Sequence, residues 1–495
     1  MLRRVWPWLL VLIYWATRLH NLNALPTFLD EGIHIDWARL VWRLQPFHAA
    51  SDGKLLSIWL NAIFWPFAGS LWVARASTVL ATTVGFAALL AYGRQLRPKL
   101  TAFMSGAVFV AFPLSIFFDR MALVDAVSAA EVMLLVCLTV RSVKSSSVNI
   151  ARIAGLLLAV LLLTKLTNIP FIIVPVVGAF ILSNPAKRGL AWRQIGHIYL
   201  NSAMVLVPAL AILRYVGKSD LGLDLLITKT GGMEIDWIES ARINIAHIAD
   251  SLWIWATPAI SLTSIAGTIL AFLQRKPLPL YLCLIMVTFI AALSLAAGSG
   301  YLEARYLMVT APFLVLLGGH ALAIACQASA DLFARLGIRY RNTSNLLAML
   351  ALVVVLLPGA RFISRGWEDP QGLLIPHYER WEYITGWPSG YGFREIALDF
   401  HERGETVHLA TFDLGGQQRL DSYLPPGSAV TAVRVSPDEL AAGVRLGSLQ
   451  GRMLLALDHP KDDNDLSWLD LSLTEIVTYP RPGNESHLTV YEIVP

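Results

Sequence analysis

The chain has 495 residues, of which 56% are hydrophobic and only 15% charged, with a formal net charge of +4. A water-soluble protein of this length needs far more charged surface, so the composition excludes a soluble globular enzyme and predicts a mainly α-helical polytopic membrane protein. The small positive charge sits in loop bases that set orientation and gives no sign of a nucleic-acid partner.

The N-terminus, MLRR followed by WPWLLVLIYWA, has the charge and apolar run of a signal sequence without a small-residue cleavage site, which predicts an uncleaved first span. At about 20 residues per crossing, spans are expected near 5–20, 73–92, 100–118, 122–140, 153–167, 168–183, 196–214, 251–273, 278–297, 306–326 and 345–358. Residues 55–67, LLSIWLNAIFWPF, are too short to cross and contain Asn61 and Pro66. They are expected to lie at the interface, inside one long loop over 23–72. Cys137, Cys283 and Cys326 fall in apolar stretches without metal-ligand spacing and read as packing residues.

Alternate connections carry the bases: Arg3 and Arg4; Arg94, Arg97 and Lys99; Arg141, Lys144 and Arg152; Lys187, Arg188 and Arg193; Arg275 and Lys276; Arg335, Arg339 and Arg341. Asp331 is the one acid among them, so the positive-inside rule makes this set cytoplasmic. The opposite set holds Asp30 and Glu31, Asp119 and Asp125, the 215–250 loop, and Glu303 with Arg305. Residues 1–358 are thus expected to form the membrane domain. Residues 359–495 change to a polar, Pro- and Gly-rich composition and are expected to form a soluble α/β domain on the non-cytoplasmic side. Strands are predicted near 405–412, 428–434, 451–458, 474–479 and 486–493, with helices near 392–403 and 436–446.

The chemistry-bearing residues lie in the acidic set. In TFLDEGIHIDWAR, helical spacing puts Asp30, His34 and Trp37 on one face with Glu31 beside them, although both acids also suit an ordinary helix N-terminus. Asp52 and Lys54 open the interfacial segment, Asp125 begins a span, Lys165 lies between two spans, and Arg305 and Tyr306 lie at the mouth of another. Each base could be only an interfacial anchor. Together, the carboxylates can take a proton or hold a divalent cation, and the cations Lys54, Lys165 and Arg305 can neutralise a phosphate at headgroup level. Asp52, Asp125 and His34 are the candidate ligands of such a metal.

In order along the chain, LDEGIHIDWAR, DGKLLSIWL, LWVARASTVL, FFDRMALVDAV, LLLTKL and EARYLMVTAP resemble the motifs of the GT-C superfamily of polyprenyl-phosphate-sugar-dependent glycosyltransferases. The resemblance covers roughly residues 1–325 and points to the protein O-mannosyltransferase and aminoarabinose transferase branch. It implies a GT-C-like bundle of about 11–13 transmembrane helices with an active site on the non-cytoplasmic side of a bacterial inner or plasma membrane. Asp30 would be the general base, with Glu31 and Asp125 as catalytic acidic partners. Lys54, Lys165, Arg305 and Tyr306 would line the donor phosphate, and the acceptor would be a lipid, glycan or protein hydroxyl. Leu55 and Leu56 replace two prolines of the family's lysine segment. Two other classes fit the same charges: a flippase for lipid-linked sugars, which would show matching broken helices in two halves, and a non-catalytic assembly subunit.

Overall fold

Long runs of Leu, Ala, Val and Ile satisfy their backbone groups within one segment, which is what a bilayer demands. The computed structural model describes residues 2–218, 237–296, 302–336, 343–412, 415–445, 452–460, 469 and 471–494. Its helical part contains α1 (Leu2–Leu19), α2 (Leu29–Trp42), α3 (Leu55–Ile63), α4 (Ser70–Gly93), α5 (Thr101–Val110), α6 (Pro113–Asp119), α7 (Val124–Ser145), α8 (Val148–Thr164), α9 (Ile173–Leu182) and α10 (Arg188–Tyr215). There follow α11 (Trp237–Trp255), α12 (Thr257–Gln274), α13 (Pro277–Ala296), α14 (Ala311–Arg335) and α15 (Thr343–Glu368).

Among the described residues, seven helices are long and apolar enough to cross a membrane, and the bent pair α5–α6 makes an eighth. Shorter apolar helices at Val5–Leu19, Val148–Thr164 and Leu166–Leu182 occupy the remaining expected positions. The chain is therefore a multi-pass membrane protein. The α5–α6 pair is bent by 58°. Pro113 lacks an N–H and pushes Phe112 into an extended conformation, ψ 113°, so a continuous helix cannot pass through. At about 1.5 Å per residue, the nine residues of α3 are too short to cross, as expected for an interfacial element.

Two differences from the expected spans have physical causes. The loop expected over 215–250 is helical from Trp237, because Ser240, Asn244, Ile248, Ser251 and Trp255 recur at helical spacing and form a buried face. Its small polar residues hide that face from a hydropathy reading. The last span runs on to Glu368 with Pro358 inside it. The helices approach closely where small residues permit, as in many membrane bundles: a Cβ on Gly267 of α12 would collide with the Leu317 carbonyl of α14.

Beyond α15 come α16 (His377–Arg380), a π-helical turn (Trp381–Thr385), α17 (Phe393–Glu402), β1 (Val407–Thr411), α18 (Gly416–Asp421), β2 (Val430–Arg434), α19 (Pro437–Arg445), β3 (Arg452–Pro460), β4 (Ser472–Pro480) and β5 (Ser486–Val494). The sheet order is β2-β1-β3-β5-β4. β1 runs parallel to β2 and β3, and β5 runs antiparallel to β3 and β4. Phe393, Ile396, Ala397 and Phe400 make the apolar stripe that seats α17 on Leu409, Leu454 and Leu488.

This domain is fastened to the start of α2. Gly32 lies against α18, where a Cβ would stand 3.1 Å from both the Arg419 nitrogen and the Gln418 carbonyl carbon. The Leu29 N–H donates to the Pro388 carbonyl at 3.1 Å, the Tyr423 hydroxyl accepts from the Thr27 N–H at 2.5 Å, and Arg39 donates to the Asp421 carbonyl at 3.0 Å. Buried Arg419 in turn donates to the carbonyls of Trp387 and Ser389 at 2.5 and 2.9 Å.

Candidate active site

Asp30 and Glu31 are consecutive on α2 and so point about 100° apart; their fates differ completely. Glu31 is fully buried. Its Oε1 accepts from Arg75 Nε at 2.8 Å and the Ala122 N–H at 2.7 Å, while its Oε2 accepts from Arg75 Nη2 at 2.6 Å and the Phe28 N–H at 3.1 Å. Arg75 also donates to the carbonyls of Leu22, Leu25 and Pro26 at 2.8–3.0 Å. The expected catalytic role of Glu31 finds no open position here: every lone-pair direction is occupied by a donor of the chain itself. Glu31 instead ties the entry to α2 to α4 and to the turn before α7.

Asp30 faces the other way. Its Oδ2 lies 2.5 Å from Arg305 Nη1, and Glu303 contacts the same guanidinium. Burial alone would raise the Asp30 pKa, but the charges of Arg305 and then Lys54 outweigh it and hold the carboxyl well below the usual carboxylate range. One turn along, His34 Nδ1 lies 3.0 Å from the Ala122 carbonyl, so Nδ1 carries the proton and Nε2 is left buried without a partner among the described residues. Burial, then the charge of Lys54, lowers the His34 pKa to about 4, and the ring is neutral near pH 7.

Lys54 follows Gly53, whose φ of 68° turns the chain sharply after the 3-10 segment His48–Asp52. Lys54 Nζ lies 2.7 Å from Asp52 and 5.9 Å from the Trp37 ring centroid. The Gly53 carbonyl accepts from the Leu166 N–H at 3.1 Å, which holds the Lys54 loop against the break between α8 and α9. Lys165 stands at that break in an extended conformation and places Nζ 2.5 Å from Asp125 Oδ1, in the first turn of α7. The Tyr306 ring joins the halves: Lys165 Nζ lies 4.3 Å and the Arg305 guanidinium 5.6 Å from its centroid.

The structure therefore gathers Asp30, Lys54, Asp125, Lys165, Arg305 and Tyr306 into one cluster, each cation already against a carboxylate. It does not assemble the expected metal ligands. Asp52 is taken by Lys54, Asp125 by Lys165, and His34 turns Nδ1 to a carbonyl. Among the described residues, no three His, Cys, Asp or Glu side chains stand together as a metal would need. Asp119 and Arg120 also lie apart. Asp119 pairs with Arg18 at 3.4 Å and accepts from the Tyr14 hydroxyl at 3.0 Å, while Arg120 donates to the Asn21 carbonyl at 2.7 Å.

Sequence reasoning missed the contribution of the C-terminal domain. Glu379 Oε1 accepts from the Ala304 N–H at 3.0 Å and fixes the segment that carries Glu303, Arg305 and Tyr306. The π-helical turn, a device frequent at functional sites, brings in Glu382 and Tyr383, 5% and 3% exposed. Burial, then the nearby charge of Glu303, pushes the Glu382 carboxyl up to about 8. The Tyr383 ring packs on Phe28, Phe117 and Phe118 at centroid distances of 4.6, 5.2 and 5.8 Å. The density of aromatic residues around two acids in HYERWEYITGW was the available signal.

No family model matches the sequence, and no curated protein matches it. Solved structures do match. ArnT from Cupriavidus metallidurans bound to undecaprenyl phosphate aligns over 98% of this chain and 97% of its own, at 12% identity and TM-score 0.57. Its apo form aligns over 99% and 98%, at 13% identity and TM-score 0.58. The archaeal oligosaccharyltransferase AglB from Archaeoglobus fulgidus, in complex with an inhibitory peptide and a dolichol-phosphate, aligns over 90% of this chain and 68% of its own, at 11% identity and TM-score 0.52. Over nearly its whole length, the chain has the GT-C fold seen in ArnT.

Proposed function

We propose that this protein is an integral-membrane glycosyltransferase that moves a sugar from a polyprenyl-phosphate carrier to an acceptor hydroxyl on the non-cytoplasmic face. The observation that carries the reading is that Lys165 and Arg305 meet at Tyr306 while Lys54 lies close enough for its charge to act on Asp30 and Asp125, each cation held by a carboxylate that a phosphate can replace. The structural likeness to a protein solved with undecaprenyl phosphate supports the class of carrier. The segregation of loop bases supports the sidedness.

In this reading the donor phosphate competes with Asp30 for Arg305. As the guanidinium turns to the phosphate, Asp30 loses its main stabilising charge and its basicity rises. The acceptor oxygen attacks the anomeric carbon, the bond from that carbon to the phosphate oxygen breaks, and its electron pair leaves with the polyprenyl phosphate. The acceptor proton goes to Asp30. A single displacement of this kind inverts the anomeric centre. The cations stabilise charge already carried by the phosphate and the charge that grows on the leaving oxygen. No step needs a metal.

The test is turnover by reconstituted protein with a panel of polyprenyl-phosphate sugars. Asp30→Asn should lower kcat by about 100-fold or more with donor binding retained. Arg305→Ala should weaken donor use by about tenfold or more. Full activity in Asp30→Asn removes Asp30 as base, and no turnover with any donor overturns the transferase reading.

A further inference from the structure

The phosphate-binding side chains Lys54, Lys165 and Arg305 come from the helical bundle, whereas Glu382 and Tyr383 come from the C-terminal domain. Both are more than nine-tenths buried, and Glu382 Oε2 and Tyr383 Oη have no hydrogen-bond partner among the described residues. A buried polar atom left unpaired costs stability, so two on consecutive residues beside a charged cluster mark a surface shaped for a ligand. Both side chains are close enough to Glu303, Arg305 and Asp30 to feel their charges, and Glu382 also feels Glu379. They therefore overlook the place where a phosphate on Arg305 would carry its sugar.

We propose that Glu382 and Tyr383 form the subsite that reads the transferred sugar, and that the sugar is a neutral, hydroxyl-rich one. This rests on the transferase reading above. A protonated carboxyl and a phenol can each donate and accept a hydrogen bond. That matches ring hydroxyls, which also donate and accept. A sugar bearing a carboxylate would meet the negative charges of Asp30, Glu303 and Glu379. The Tyr383 ring, wedged among Phe28, Phe117 and Phe118, fixes where the phenol points. Burial keeps Glu382 protonated near neutral pH, which fits the role.

The full chain in lipid nanodiscs separates sugar contacts from phosphate contacts when bare polyprenyl phosphate and a polyprenyl-phosphate hexose compete for the site. Glu382→Ala and Tyr383→Phe should each weaken the hexose conjugate by about tenfold and leave bare polyprenyl phosphate unchanged. Tyr383→Phe keeps the ring and its packing, so it guards against a folding artefact. Glu382→Gln, which also donates and accepts, should bind the conjugate nearly as wild type. It should also lack the weakening that wild type shows as pH rises past about 8. Equal losses for both ligands, or no loss for either, overturn the subsite. If bare polyprenyl phosphate does not bind the wild type at all, the transferase reading falls and the subsite with it, whereas binding of bare carrier with no hexose selectivity sinks the subsite alone.

Discussion

Replacing Glu31 by Gln should be among the most damaging single-atom changes in the chain, and more damaging than the neighbouring Asp30→Asn. Each Glu31 oxygen accepts one bond from Arg75 and one from a backbone N–H, at 2.6–3.1 Å. Whichever way a glutamine amide is turned, its NH2 faces two donors, so two charge-assisted bonds are lost. The Arg75 guanidinium also keeps its charge in a fully buried site without a counter-ion. Breaking a buried pair by neutralising one partner costs about 3–5 kcal/mol. Asp30 is 22% exposed on its side chain, and Arg305 retains Glu303 when Asp30 is neutralised. The cost there is smaller, because no charge is left without a partner. Denaturant titration of both variants in detergent micelles, followed by tryptophan fluorescence, reads the difference. An Asp30→Asn protein that unfolds first, with Glu31→Gln as stable as wild type, would refute the division of labour between the two acids.

Gly32→Ala should loosen the C-terminal domain, because the new methyl stands 3.1 Å from the backbone of Gln418 and Arg419. The overpacking cost of about 1–3 kcal/mol should appear as faster amide hydrogen exchange across 415–423; unchanged exchange there contradicts the tight contact. Lys165→Met should destabilise by about 3 kcal/mol or more through the stranded Asp125 carboxylate, and adding Asp125→Asn should recover most of that loss in a double-mutant cycle. Glu382 binds its proton more tightly folded than unfolded, so its contribution to stability is fully present below about pH 4.5. That contribution shrinks as pH rises and is gone above about pH 8. Unfolding midpoints of wild type and Glu382→Gln should therefore converge below that window and separate within it in favour of the variant; parallel pH profiles contradict the assignment.

The architecture was legible because its signals are local. Apolar length marks a span, and alternation marks a strand, so the five predicted strands lie within two residues or so of β1–β5. What failed was also physical. Buried serines and an asparagine disguise α11 as a loop. At the site, Asp30, Lys54, Asp125, Lys165 and Arg305 could be named from their positions at span edges. Most of their pairing could not, because Asp30 and Arg305, and Asp125 and Lys165, lie far apart along the chain, unlike Asp52 beside Lys54 and Glu303 beside Arg305. Glu31 and Asp30 look equivalent in sequence, and only the presence of Arg75, 44 residues on, separates a structural acid from a site acid. Glu382 was invisible for the same reason: Glu303, Arg305 and Asp30, whose charges act on it, lie far along the chain.

The most direct test of the account is where a carrier phosphate sits. A structure of this protein in nanodiscs with polyprenyl phosphate should place the phosphate against Lys54, Lys165 and Arg305, with the Asp30–Arg305 contact opened. A phosphate bound among the bases at the opposite ends of the spans, such as Arg94 and Arg141, with that contact intact, would contradict it.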